Sequence, residues 1–277
     1  MASSEYEKSR LFAIRLSTTT ETSMNIHTVA PTKAPKGISA DEWQARVDLA
    51  AVYRLVADHG WDDVIYNHCS MRVPGEPRKF LMKRHELLWV EVTASNLVKV
   101  DMDDDLDEKA GVNRPGFTLH GGVLRGRPDV NCAVHVHTEI GMAFAGLKSG
   151  LRMISQEATR FYGCLGYHPY EGITEDFGER ERLIANLANN RGMILRNHGM
   201  LTVGKTAREA FVLMKHLLEA AKIQLMMEAT GAELIEIPPD VCAKTVVQYD
   251  KHDAGRGSAD WPAYLRKLDR LDPSYRT

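Results

Sequence analysis

Ala133-Val134-His135-Val136-His137-Thr138, taken with Arg196-Asn197-His198-Gly199 about sixty residues later, decides how this chain is read. The apolar run Val130 to His137 predicts a buried strand. Side chains alternate along a strand, so His135 and His137 share one face, about 7 Å apart. Two imidazoles so placed can share one metal ion. A third histidine in a turn-like Asn-His-Gly setting, His198, can complete the set. A His-x-His pair alone is weak; the pair, the third histidine and their surroundings together point to a metal protein.

Working outward, Ser39-Ala40-Asp41-Glu42 reads as a capping box. It opens a helix with an apolar stripe at Trp43, Val47, Ala50, Ala51 and Leu55, closed at His59-Gly60. Val64 to Val73 predicts a strand, and Pro74 to Pro77 a turn. Phe80 to Met82, Leu88 to Val92 and Leu97 to Val100 predict further short strands, and the acidic run Asp101 to Glu108 a solvated hairpin. Thr118 to Arg125 predicts a short helix, Glu139 to Leu147 another, and Arg180 to Asn189 an amphipathic one. Met193 to Leu195 and Met200 to Val203 predict paired strands around the Asn-His-Gly turn. Thr206 to Thr230 predicts the longest helix, capped by Thr206 and ended by Gly231. Together these describe a mixed α/β domain with a mainly antiparallel sheet and helices on both faces. No GxGxxG follows a strand, which argues against a dinucleotide fold.

Composition narrows the function. With 44% hydrophobic and 26% charged residues the chain reads as an ordinary soluble globular protein. A net charge of −2 supplies no field for nucleic acid or an anionic membrane, so neither is expected as a partner. No apolar run reaches the length of a membrane span. Cys69, Cys132, Cys164 and Cys242 show no CxxC spacing and are expected as buried thiols in a reducing, cytoplasmic setting. Residues 1–38, with their Ser/Thr cluster and two prolines, are expected to be a disordered extension, and Met24 is a second candidate start. Glu5, Glu7 and Glu21 count against a transit peptide. Residues 39–237 are expected to form the domain and 238–277 a polar C-terminal tail, with 250–259 flexible.

Arg127-Pro128-Asp129, Ala133 to His137 and Leu195 to Gly199 resemble the signature of the class II aldolase/adducin family, over about residues 42–237. Gly60-Trp61-Asp62-Asp63 and Asn67-His68-Cys69-Ser70 fit the same pattern. The resemblance implies an α/β/α sandwich, often a homotetramer. It implies one divalent metal per subunit held by His135, His137 and His198: zinc first, with Fe(II) or Mn as alternatives. Three neutral imidazoles with an open position make a Lewis acid for carbonyl chemistry on a small-molecule substrate.

The chain departs from that family at several positions that matter. The aldolases carry a catalytic Glu nineteen residues before the first metal histidine, and here Gly116 stands there, within Arg114 to His120. Arg114 and Pro115 replace phosphate-holding serines, Met82-Lys83-Arg84-His85 replaces a phosphate loop, and Gln156 replaces a tyrosine acid. The substitutions point away from sugar phosphates. His120, one helical turn after Gly116, is a candidate fourth ligand or hydrogen-bonding neighbour of the metal, weighed against an uninvolved helix residue. Glu139, Glu157, Arg160 and Tyr162, with Gln156, are candidate catalytic or substrate-binding groups, each weighed against an ordinary surface salt bridge. His68 and His168 are read as structural. His27, His59, His85, His216 and His252 are read as structural or solvent-exposed.

Three functions fit. The first is a metal-dependent lyase, an aldolase or decarboxylase of a non-phosphorylated keto or hydroxy acid or carbonyl compound. The second is a non-haem iron oxygenase that decarboxylates an aryl-pyruvate. The third is an adducin-like binding module without catalysis. The resemblance implies that adducin has lost metal ligands and carries a long basic tail, whereas this chain keeps all three histidines, which favours the first.

Overall fold

The structure is a computed structural model and describes residues 32–104, 111–173, 178–254 and 256–277. The expected disorder of residues 1–31, and the part of the acidic hairpin at 105–108, lie outside the described residues. Seven strands form one sheet: β1 His68–Val73, β2 Glu76–Met82, β3 Val98–Asp101, β4 Cys132–Val136, β5 Leu165–His168, β6 Gly192–Leu195 and β7 Gly199–Gly204. Their order is β3-β2-β1-β4-β7-β6-β5, antiparallel throughout except for the β5–β6 pair. Eight α-helices accompany them among the described residues: α1 Ala40–Asp58, α2 Arg114–Gly126, α3 Glu139–Ala145, α4 Gln156–Thr159, α5 Glu179–Leu187, α6 Ala207–Glu228, α7 Pro239–Ala254 and α8 Asp260–Leu271.

Alternation along β4 sorts the core into two layers. Cys132, Val134 and Val136 face the helices α1, α3 and α6, in a core with Leu49, Tyr53, Phe211 and Leu217. Ala133 faces α2 and α5, in a second core with Phe117, Val123, Leu183 and Leu201. The result is the α/β/α sandwich that the resemblance implied, with helices covering both faces as a mostly buried sheet requires. None of the described helices is long and apolar enough to cross a membrane.

Several local expectations change. Strand β1 begins at His68 rather than Val64, because Val64 and Asn67 adopt left-handed backbone (φ +51° and +62°) and cannot continue a ladder. Trp89–Glu91, expected within a strand, is a single 3-10 turn. The Glu91 carboxylate accepts from the Leu88 amide at 2.8 Å, and Trp89 is buried. Helix α2 starts four residues earlier than expected: Asn113 caps it by accepting from Gly116 N, and Pro115 sits in its first turn, where no amide is needed. The four-residue elements α4 and β5 carry too little periodicity to be seen in advance.

The segment 238–277, expected as a polar tail, folds into α7, α8 and a closing 3-10 turn, Pro273–Arg276. Trp261, Tyr264, Leu265 and Leu268 form a narrow stripe on α8 that packs against the larger core. Tyr275 is fully buried, and Arg54 on α1 reaches Asp272 at 2.8 Å and Ser274 at 2.9 Å. Residues 32–38, expected in the disordered extension, are held here too: Trp43 Nε1 donates to the Thr32 carbonyl, and Thr32 Oγ1 to that of Arg276.

Candidate metal centre

His135 projects from β4 toward the α2 layer, the face of odd-numbered residues on that strand. Its Nδ1 donates to the Met200 carbonyl on β7 at 3.0 Å, which fixes the tautomer and leaves Nε2 with a lone pair. His137 stands just past the end of β4, on the same side. His198 comes from the β6–β7 turn, and its placement is local chemistry. Asn197 takes the left-handed conformation (φ +57°) that Asn tolerates, and the His198 amide closes the turn onto the Leu195 carbonyl. At Gly199 a Cβ would lie 2.6 Å from the Val136 carbonyl oxygen and 3.0 Å from the His137 ring. Only glycine lets the turn approach β4 so closely, which is why Asn-His-Gly reads as it does.

The three rings converge. His135 Nε2 lies 2.7 Å from His137 Nε2, and His198 Nε2 lies 2.8 Å from that same nitrogen. Nitrogen lone pairs so close repel unless a proton or a cation lies between them. Burial holds His137 and His198 down to about 4, with the His137 charge adding to the effect on His198. Burial, then the His137 and His198 rings, holds His135 well below its usual range. The three are therefore neutral near pH 7, the form in which imidazole binds a metal. This donor set fits a divalent transition ion with bonds of about 2.0–2.1 Å. His137 also opens onto a cleft of about 680 Å³ whose walls include Asp63, Glu139, Glu219 and Lys222.

The other expected residues separate. His120 does not join the three rings: its Nε2 lies 2.9 Å from His68 Nδ1, and its Nδ1 lies 2.5 Å from Ser70 Oγ. Burial lowers it to about 3. Glu139 is exposed and lines the cleft beside His137. Glu157 bonds His216 on α6. Arg160 bonds Asp253 on α7 at 3.0 Å and stacks on Tyr249. Gln156 is exposed at the start of α4, and Tyr162 is half-buried just after it. Gln156, Glu157 and Arg160 belong to the α4–α6–α7 corner rather than to the three-histidine cluster. Glu157, His216 and Glu219 form a second group of potential ligands there. His168, read as structural, is buried between Glu179 and Asn186.

Sequence reasoning missed His68. It pairs directly across the ladder with His135, and the two ring centroids lie 5.1 Å apart. The signal was present in the chain as a histidine two residues before Ser70 on an apolar strand. The register that brings it beside His135 is not local and could not be read there.

With this geometry in hand, comparisons place the chain. A profile of the family described as Class II Aldolase and Adducin N-terminal domain matches residues 47–225. A crystal structure of an aldolase II superfamily protein from Pseudomonas syringae is 42% identical, with a TM-score of 0.80, covering 87% of this chain and 98% of that one. L-fuculose 1-phosphate aldolase from Glaciozyma antarctica is 26% identical, with a TM-score of 0.75, covering 90% of this chain and 97% of that one. Alpha-adducin of Mus musculus is 39% identical over 249 residues, covering 84% of this chain but only 34% of the adducin.

Proposed function

The chain belongs to the class II aldolase and adducin family, and on that premise we propose that it is a metal-dependent carbon–carbon lyase, an aldolase or decarboxylase of a non-phosphorylated carbonyl compound. The observation that carries this reading is the convergence of His135, His137 and His198 on one point. A divalent ion there supplies Lewis acidity that stabilises negative charge developing on substrate oxygens. The protein's part is to hold three neutral imidazoles in fixed orientation, as the His135 bond to Met200 does, and to open the centre to a cleft through His137. Among the described residues no carboxylate joins the three nitrogens, so the donor set favours zinc over the two-histidine, one-carboxylate pattern of iron oxygenases.

Two features support an unphosphorylated substrate. Lys83, in the loop where the family holds phosphate, is buried and donates its ammonium to the carbonyls of Ile65, Arg84, His85 and Leu87. The cleft beside His137 is lined by Asp62, Asp63, Glu139 and Glu219 against Lys222, an acidic wall that disfavours a phosphate dianion. Within the lyase class this weighs against phosphorylated substrates.

Kinship with alpha-adducin supports a second reading, a binding module that acts through its surface. The test separates the two. Purified protein is assayed for bound metal, with wild type and His198→Ala side by side. It is then offered a panel of hydroxy-ketones, aldol adducts and keto acids, with aldehyde and carbon dioxide release as readouts. The lyase reading expects about one divalent ion per chain, lost in His198→Ala, and metal-dependent turnover of a panel member. A wild-type protein that takes up no metal overturns it in favour of the module.

A further inference from the structure

Gly116 and His68 occupy one space. A Cβ built on Gly116 would lie 2.5 Å from His68 Cδ2 and 2.9 Å from its Nε2, so the imidazole fills the volume that any side chain at 116 would enter. Gly116 is held in the first turn of α2 by the Asn113 cap, and His68 opens β1, so the exchange joins two elements far apart in sequence.

The His68 ring is fixed from behind. His120, one turn along α2 from Gly116, meets its Nδ1 at 2.9 Å, and Ser70 on β1 meets His120 from the far side. His120 and Ser70 are fully buried. The relay that makes His68 Nε2 a donor has the Ser70 hydroxyl donating to His120 Nδ1 and His120 Nε2–H donating to His68 Nδ1, so that His68 Nε2 carries its own N–H. That N–H has no hydrogen-bond partner among the described residues, while the ring packs beside His135. His68 is 7% exposed, so this buried strand residue keeps a small opening.

We propose that His68 is a substrate-contacting residue of the centre, whose Nε2–H hydrogen-bonds the oxygen ligand that completes the metal's coordination, in the space left by the missing side chain at Gly116. The inference rests on the metal reading above. His120 is the positioning residue that orients His68, with Ser70 behind it. A neutral imidazole donor in this place steadies an anionic oxygen without adding a negative charge to the centre, as a carboxylate would. Hydrogen bonds to charged groups are the strong ones, which gives the contact leverage over ligand affinity.

The test uses the full chain loaded with Co(II), with its visible spectrum as the readout and acetohydroxamate as a bidentate oxygen probe. His68→Phe keeps the ring volume and removes the donor. The expected result is Co(II) affinity within about 3-fold of wild type and acetohydroxamate affinity weaker by about 10- to 100-fold. His120→Gln, which retains an N–H toward His68, is expected to keep most of the affinity that His120→Phe loses. Should His68→Phe not fold, Gly116→Ala displaces the ring instead and is expected to weaken the probe in the same way. Unchanged acetohydroxamate affinity in metal-loaded, folded variants overturns this inference and leaves the metal reading standing. Loss of Co(II) itself from His68→Phe would make His68 a ligand and overturn the assignment of roles. No metal uptake by wild type overturns both readings together.

Discussion

Metal-free protein is expected to lose stability steeply as pH falls from 6.5 to about 5. Burial is the first cause that holds His137 and His198 near 4 and His120 near 3 in the fold. In an unfolded chain each titrates near about 6.5. The folded values are depressed, so above pH 6.5 neither state binds the proton and nothing is lost. Below it the unfolded chain takes up protons that the fold refuses, and stability falls until the folded groups protonate near their own values. At about pH 5.5 each group costs about 1.4 kcal/mol, so the three together cost about 4 kcal/mol. His68 and His135, held well below their usual range chiefly by burial, act in the same direction. Asp48 opposes them: burial pushes it up to about 6, which returns about 1 kcal/mol at that pH. The net loss of about 3 kcal/mol is a large part of a typical stability of about 5–15 kcal/mol. At roughly 2–4 °C per kcal/mol it lowers Tm by about 6–12 °C. The assay is thermal unfolding of chelator-treated protein followed by circular dichroism at pH 7.5, 6.5 and 5.5. Zinc-loaded protein is run alongside and should hold its Tm better over the same range. A metal-free Tm that moves by less than about 3 °C between pH 7.5 and 5.5 would refute the argument, because the imidazoles could then not be buried in neutral form.

Three further outcomes follow from the same geometry. Gly116→Ala places a methyl group against the His68 ring and is expected to destabilise by about 1–3 kcal/mol, visible as a lower midpoint in urea; an unchanged midpoint would show that the ring moves aside freely. Tyr275→Ala empties a fully buried aromatic site between the C-terminal turn and α1, with an expected cost of about 3–5 kcal/mol. A polar tail without structure would show no change on that substitution. Fuculose 1-phosphate and rhamnulose 1-phosphate are expected to give no turnover above a metal-free control, since Lys83 is turned inward and the cleft is acidic; turnover of either at ordinary enzyme rates would show the phosphate argument to be wrong.

Periodicity and local chemistry carried most of the fold. The apolar run ending at His135 and His137, the long stripe of α6, the Ser39 cap and the Asn-His-Gly turn are each set by residues within a few positions of one another. Such signals survive in the bare chain, and so did the family resemblance and the three converging histidines. Tertiary structure decided the rest. Only the β1–β4 register sets His68 opposite His135, and only the packing of α2 on the sheet puts its ring into the space over Gly116. Tertiary packing sets His120 against His68 and Ser70, and draws Glu157 and Arg160 to His216 and Asp253 on helices far along the chain. The C-terminal residues read as polar because their few apolar side chains are widely spaced, and their stripe acquires meaning only against α1 and α6. A side chain's local neighbours follow from the order of residues, whereas its partners across the sheet depend on strand register and helix docking, which no short window of sequence contains.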